Sequence, residues 1–361
     1  MSLPPNVVTE IPGPKSRALA ARVAAVECPA FDARREARAA ASGSEQSPIV
    51  YARGEGANVF DVDGNRYVDL VAGFGALIFG HSPANVKAAV RAQEDELVLG
   101  LGDVYASDVK VRLCEELVSL FPEKNARVML GLSGADALTA ALKTIALTER
   151  TRVVAFEGGY HGLSHGPLAA CGLSAGFRAP FGDQVGAWTS FFPYPSDAKT
   201  AESTLGRLKR LAPEEKRAIG GLVFEPVLGR GGIVPLANGV LRDLRALCDA
   251  EGWLLVADEI FCGSGRAGAL AITLEEGVVP DVLCLGKGLG AGWPVSAMIG
   301  RGNVMDAWGA HHGTAIHTAT HFGSPAGCAA ALTVLEALTD ERHAITKDVG
   351  ARFAKVLEAK T

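Results

Sequence analysis

"GWLLVADEI" at residues 252–260 and "VLCLGK" at 282–287 are apolar runs of strand length, each closing on a charged side chain, Asp258 and Lys287. The two charges stand 29 residues apart, room for one crossover between adjacent strands. A run without polar alternation is buried on both faces, as parallel strands are. The same pattern recurs in "RVMLGLS" (127–133), "RVVAFEGG" (152–159), "GGLVFEPV" (220–227) and "VSAMIG" (295–300). Helix-period segments at 83–98 and 107–120 precede these runs, and helical patterns separate them. Alternating strands and helices predict an α/β fold, with a mostly parallel sheet flanked by helices. Ligands of such sheets bind outside the carboxyl ends of the strands, where this sequence concentrates its polar residues.

Composition narrows the function. The chain has 361 residues, 48% hydrophobic and 21% charged, enough for one large domain and part of another. Lys and Arg are scattered and the net charge is -5, so no nucleic-acid partner is expected. No apolar stretch is long enough to span a bilayer, so no membrane partner is expected either. Seven cysteines, an odd count without a CxxC pair, several of them inside apolar runs, suit reduced thiols in a cytoplasm. "MSLPPNVVTEIPGPKSR" at the N-terminus lacks the apolar core of a signal peptide. After a polar, Arg-rich lead-in at 30–47, "NVFDVDGNRYVDL" (58–70) alternates around Asp63-Gly64 and predicts a hairpin.

Lys287 lies in "LGKGLGAG", where glycines suggest three chemistries. A P-loop lysine needs a glycine six positions earlier and a following Ser or Thr, whereas Asp281 and Gly288 stand there. "GKGLGA" matches a dinucleotide fingerprint in letters, but that fingerprint opens a helix, and Trp293-Pro294 with the apolar run after it predicts a strand. A surface lysine in a glycine loop is the plain alternative. The third chemistry is a Schiff base, for which burial supplies the deprotonated amine. A carboxylate at the neighbouring strand end wants a cation, which the pyridinium of pyridoxal 5'-phosphate (PLP) provides. At about 4 Å and an effective dielectric of about 20 that contact is worth about 4 kcal/mol, enough to keep the ring protonated as an electron sink.

Other strand ends suit the same ligand. "LSGADALTAALK" (132–143) turns from a strand into an Ala-rich helix, so N–H groups near Gly134 and Ala135 suit a phosphate, or Ser133 simply caps the helix. In "EGGYHGLSHG" (157–166), Tyr160 is placed to stack on a flat ring or to pack in its loop. Glu225 in "FEPVLGRGG" (224–232) stands at site depth or caps a turn. "HHGTAIHTATH" carries His311, His312, His317 and His321 without the spacing of a metal site, so no metal is expected.

In order, "FDVDGNRYVD", "GHSPANVKAA", "SGADALTAALK", "YHG", "EPVLGRGG", "ADEIFCGSGRAG", "LGKGLGAGWPVSAMIG" and "HTATHFGSPAGCAAAL" resemble the class III (subgroup II) PLP-dependent aminotransferases of fold type I, over nearly the whole chain. The resemblance implies a seven-stranded large domain plus a small α+β domain. Its expected divisions are 1–75 (hairpin segment, part of the small domain), 76–325 (PLP-binding domain) and 326–361 (start of the C-terminal small domain, expected to be truncated at "ARFAKVLEAKT"). It makes Lys287 the Schiff-base lysine and catalytic base, and Asp258 the partner of the pyridine nitrogen. Tyr160 and Ile260 would cover the two ring faces, Gly134 and Ala135 would hold the phosphate, and His161 would belong to the same loop. Glu225 matches the glutamate that, in relatives, pairs with a substrate-binding arginine. Thr320 matches the threonine that reaches the phosphate of a neighbouring subunit, which implies a homodimer. The implied activity is ping-pong transfer of an amino group from an amino acid or omega-amino donor to a 2-oxo acid or aldehyde. The alternatives are an aminomutase like the glutamate-1-semialdehyde enzyme, a racemase, or a non-catalytic PLP-binding homologue. Phe261, Asp136 and Ser324 depart from the family's Gln, Glu and Asn.

Overall fold

Two helices, Pro14–Ala24 (α1) and Ala30–Ser42 (α2), and three strands, Tyr51–Glu55 (β1), Asn58–Asp61 (β2) and Arg66–Val68 (β3), form an N-terminal unit ending at Ala84. The computed structural model describes residues 3–44, 46–102, 104–311 and 313–359. The predicted hairpin is β2–β3, with Val59 opposite Tyr67. Its turn is stapled by the buried Asp61 carboxylate, which accepts hydrogen bonds from the backbone N–H groups of Asp63 and Asn65, the Asn65 amide and the Tyr67 hydroxyl. The Arg-rich lead-in is helical in α2 although it buries no residue, since Ala, Arg and Glu favour helix without tertiary packing.

The second unit begins at Asn85. Its first helices, Ala84–Glu96 (α3) and Asp108–Ser119 (α4), match the two helix-period segments. The six apolar runs become Arg127–Gly131 (β4), Arg152–Phe156 (β5), Ile219–Phe224 (β7), Leu254–Asp258 (β10), Val282–Leu285 (β11) and Ser296–Gly300 (β12). A seventh strand, Thr189–Phe192 (β6), has no counterpart among them, and the pair Val227–Leu228 (β8) and Val234–Pro235 (β9) forms a separate hairpin. The sheet order is β4-β12-β11-β10-β7-β5-β6, parallel except for β12, which is antiparallel to both neighbours.

Side chains alternate between two cores on opposite faces of the sheet. Leu255, Ala257, Leu283 and Leu285 pack with Leu244, Leu247 and Leu332 from the helices Val240–Glu251 and Pro325–Ala337. Val256, Val282, Cys284 and Met298 pack with Leu138, Ala141 and Ile145 of the helix Gly134–Ala146 (α5). Each fully buried Leu contributes about 1.5–3 kcal/mol. This alternation puts Asp258, two residues beyond Val256, on the α5 side. Because β4 runs parallel to β10 and leads into α5, the helix starts at the same edge of the sheet.

Candidate active site

β11 ends at Leu285, and the chain bends at once into a 3-10 turn, Lys287–Gly290. Lys287 has φ +39°, a left-handed conformation that costs a side-chain-bearing residue on the order of 1–3 kcal/mol. The bend turns its Nζ over the Phe261 ring, 4.9 Å from the centroid. Burial pulls the Lys287 pKa below its ordinary value, against the opposing pull of the Asp258 and Glu225 carboxylates. The amine therefore gives up its proton more readily than a surface lysine does.

Asp258 closes β10, one strand away, and is 4% exposed. Its Oδ2 lies 2.7 Å from His161 Nδ1, and its Oδ1 accepts a hydrogen bond from the Ile260 N–H at 3.1 Å. Burial disfavours the His161 cation, but the hydrogen bond and charge of Asp258, helped by Glu225, raise its pKa above the usual value. Glu225, at the end of β7, is also 4% exposed. It both caps a turn and reaches the site, because Tyr160 N–H donates to Oε2 at 2.8 Å and Gly229 N–H to Oε1 at 3.1 Å. Burial pushes its pKa up to about 7; His161 and the two N–H groups oppose the rise, and Asp258 adds to it.

α5 contributes its N-terminus. Ser133 and Asp136 form a capping box, with Asp136 Oδ2 accepting from the Ser133 N–H, the Ser133 hydroxyl and the Leu132 N–H. The N–H groups of Gly134 and Ala135 belong to the first turn, which has no intrahelical acceptors and attracts anions.

Gly134, Ala135, Tyr160, His161, Glu225, Asp258, Ile260 and Lys287 line one cavity of about 250 Å³, together with Gly162, Leu163 and Phe261. Thr320 does not line it. It is exposed, in a segment whose carbonyls at Ala319 and Thr320 pass close to Gly102. Leu163 was missed because a leucine in a glycine-rich loop carries no chemical signal. His317 packs against Trp308 and Phe322, with the Lys143 amine 3.4 Å from its Nδ1. No group of three or more His, Cys, Asp or Glu able to share a metal occurs among the described residues. His312 and Thr361 lie outside the described residues.

Residues 39–361 match the family described as aminotransferase class-III. The chain belongs to the class III aminotransferases. It is 33% identical to the 5-aminovalerate aminotransferase DavT of Pseudomonas aeruginosa over 86% of its own length and 73% of that enzyme. It is 34% identical to the 4-aminobutyrate aminotransferase GabT of Escherichia coli over 81% of its length and 69% of GabT. A solved amine transaminase from an uncultivated Pseudomonas species, in its PLP-bound form, superposes with a TM-score of 0.79 at 32% identity, covering 87% of this chain and 75% of that one. The chain is thus a PLP-dependent aminotransferase, in line with the transaminase reading over the aminomutase, racemase and non-catalytic alternatives. The donor set suits this cofactor: an amine for its aldehyde, a carboxylate for its pyridine nitrogen, flat and branched side chains for its ring, and first-turn N–H groups for its phosphate.

Proposed function

We propose that this aminotransferase holds PLP covalently at Lys287 and moves an amino group from an amino acid or omega-amino donor to a 2-oxo acid or aldehyde in ping-pong fashion. The observation that carries the reading is the convergence of Lys287, Asp258, Tyr160 and the α5 N-terminus on one cavity. When bound, PLP supplies an electron sink that makes the substrate C–H bond acidic. Lys287 Nζ, which burial makes readier to give up its proton, would take and return that proton. Asp258, fixed by His161 and the Ile260 N–H, would hold the pyridine nitrogen protonated. Tyr160 and Ile260 would confine the ring, the Gly134 and Ala135 N–H groups would bind the phosphate, and Glu225 would shape the substrate side.

Thr320 of the partner subunit completes the phosphate site, so the working unit is a homodimer. The exposed Leu97, Val98, Leu101, Val104 and Tyr105 near the Gly102 contact supply an apolar surface of the kind that marks an interface. Residues 76–325 form the large domain, to whose core the helix Pro325–Ala337 still belongs, 1–75 supply one part of a small domain, and the rest of 326–361 supplies another. The exposed stripe Ile345, Val349, Phe353 and Val356 on the helix Asp340–Glu358 supports the last assignment. All seven cysteines are free and five are buried, which suits a cytoplasmic enzyme.

Borohydride reduction of the PLP-loaded protein, followed by peptide mass spectrometry, tests the reading. The cofactor should be fixed on the peptide carrying Lys287, and Lys287→Ala should lose about 10²–10⁴-fold or more of the transamination rate. Attachment at another lysine, or none, removes the assignment.

A further inference from the structure

The β8–β9 loop "LGRGG" (228–232) is pinned at two points. A Cβ at Gly229 would lie 2.7 Å from the Phe261 ring, and one at Gly231 would lie 2.6 Å from the Gly158 carbonyl oxygen. The loop backbone therefore rests directly on Phe261 and on the chain leading to Tyr160, both of which line the cavity. Arg230, between the two glycines, is exposed. Its guanidinium carbon sits 4.3 Å from the Tyr160 ring centroid and 5.9 Å from that of Phe177. Among the described residues it forms no ion pair and no hydrogen bond.

A guanidinium stacked on an aromatic ring keeps its N–H donors in the plane of the group, free for a bidentate contact with a carboxylate. Among the described residues, Lys287 is the only Lys or Arg that lines the cavity, and its amine is committed to the cofactor. The buried carboxylates Asp258 and Glu225 repel an anion.

We propose that Arg230 is the residue that reads the carboxylate of this enzyme's substrates, the 2-oxo acid acceptor and the amino acid donor, from its stacked position over Tyr160. The proposal rests on the PLP site assigned above and adds to it the group that separates carboxylate-bearing partners from neutral ones. The loop fixes the backbone, the Tyr160 and Phe177 rings hold the guanidinium beside them, and the arginine stays exposed to incoming substrate.

Acceptor discrimination tests it. With one amine donor, kcat/KM is measured for pyruvate and for propanal, and their ratio is compared between wild type and variants. Removing a charge-assisted hydrogen-bonding group should lower the ratio about ten- to hundredfold in Arg230→Ala. Arg230→Gln keeps a planar group over Tyr160 and removes the charge, so it should show a similar fall, which a purely structural stacking role would not produce. An unchanged ratio in both variants overturns the proposal, including the case where both acceptors slow equally. Failure of the PLP assignment is seen separately, as the absence in wild type of a cofactor absorbance band that Lys287→Ala abolishes.

Discussion

At the residue scale the site is a problem in buried charge. Asp258 and Glu225 are almost wholly withdrawn from water, and an ionised carboxylate in that position is costly unless hydrogen-bonded or paired. Asp258 has His161 and a backbone N–H; Glu225 has two N–H groups and still carries a pKa of about 7 in place of its ordinary 4.5. Between those values the folded protein binds more protons than the unfolded chain. Stability from this group is therefore full below about pH 4.5 and falls as pH rises through about 7, by on the order of 3 kcal/mol. His161, whose pKa is also raised by folding, changes stability in the same direction. Glu225→Gln removes one of the titrating groups. Chemical unfolding of the cofactor-free protein should then show wild type losing stability relative to the variant as pH rises over this window, and parallel curves would contradict the assignment.

At the element scale the N-terminus of α5 is, in the proposed site, what joins the sheet to the cofactor. Ser133 caps this helix and ties Asp136 into the turn that presents the Gly134 and Ala135 N–H groups. Ser133→Ala should cost about 1 kcal/mol of stability, as loss of a Ser cap does. It should also weaken PLP binding several-fold, because the first turn frays where the phosphate must sit; thermal unfolding and a PLP titration read the two effects. A loss of stability with unchanged PLP affinity would separate the cap from the phosphate site. This turn was legible in the sequence, as were Asp258 and Lys287, because a buried parallel strand is a continuous apolar run and any charge at its carboxyl end stands out. β6 was not legible, since "TSFF" is short, half polar and at the sheet edge. β1 was hidden for a similar reason: "YARGE" has no buried residue and gains its place by pairing with β2. Arg230 shows a different limit. Its neighbouring glycines looked like loop punctuation, and only the close approach of their backbone to Phe261 and Gly158 places the arginine over Tyr160.

At the scale of the whole molecule the question is how many chains make one site. Every residue assigned to the cofactor except Thr320 lines the cavity of a single chain, while Thr320 sits exposed next to Gly102 and near the exposed Leu97, Val98, Leu101, Val104 and Tyr105. If each cavity takes its Thr320 from the other subunit, two individually impaired chains complement each other. Lys287→Ala dimers lack the reactive amine in both sites. Thr320→Asp dimers carry a carboxylate against the phosphate in both. A mixed dimer combines the intact Lys287 of one chain with the intact Thr320 of the other, so one of its two sites is whole. Random pairing in co-expression makes about half the dimers mixed, so about a quarter of wild-type sites should be restored, within a closed two-fold assembly. Differently tagged chains, purified through both tags, enrich the mixed dimer and should raise this to about half. No recovery over the separate variants would mean that Thr320 serves its own chain or lies outside the phosphate site, because only exchange across an interface lets two deficient chains build a complete one.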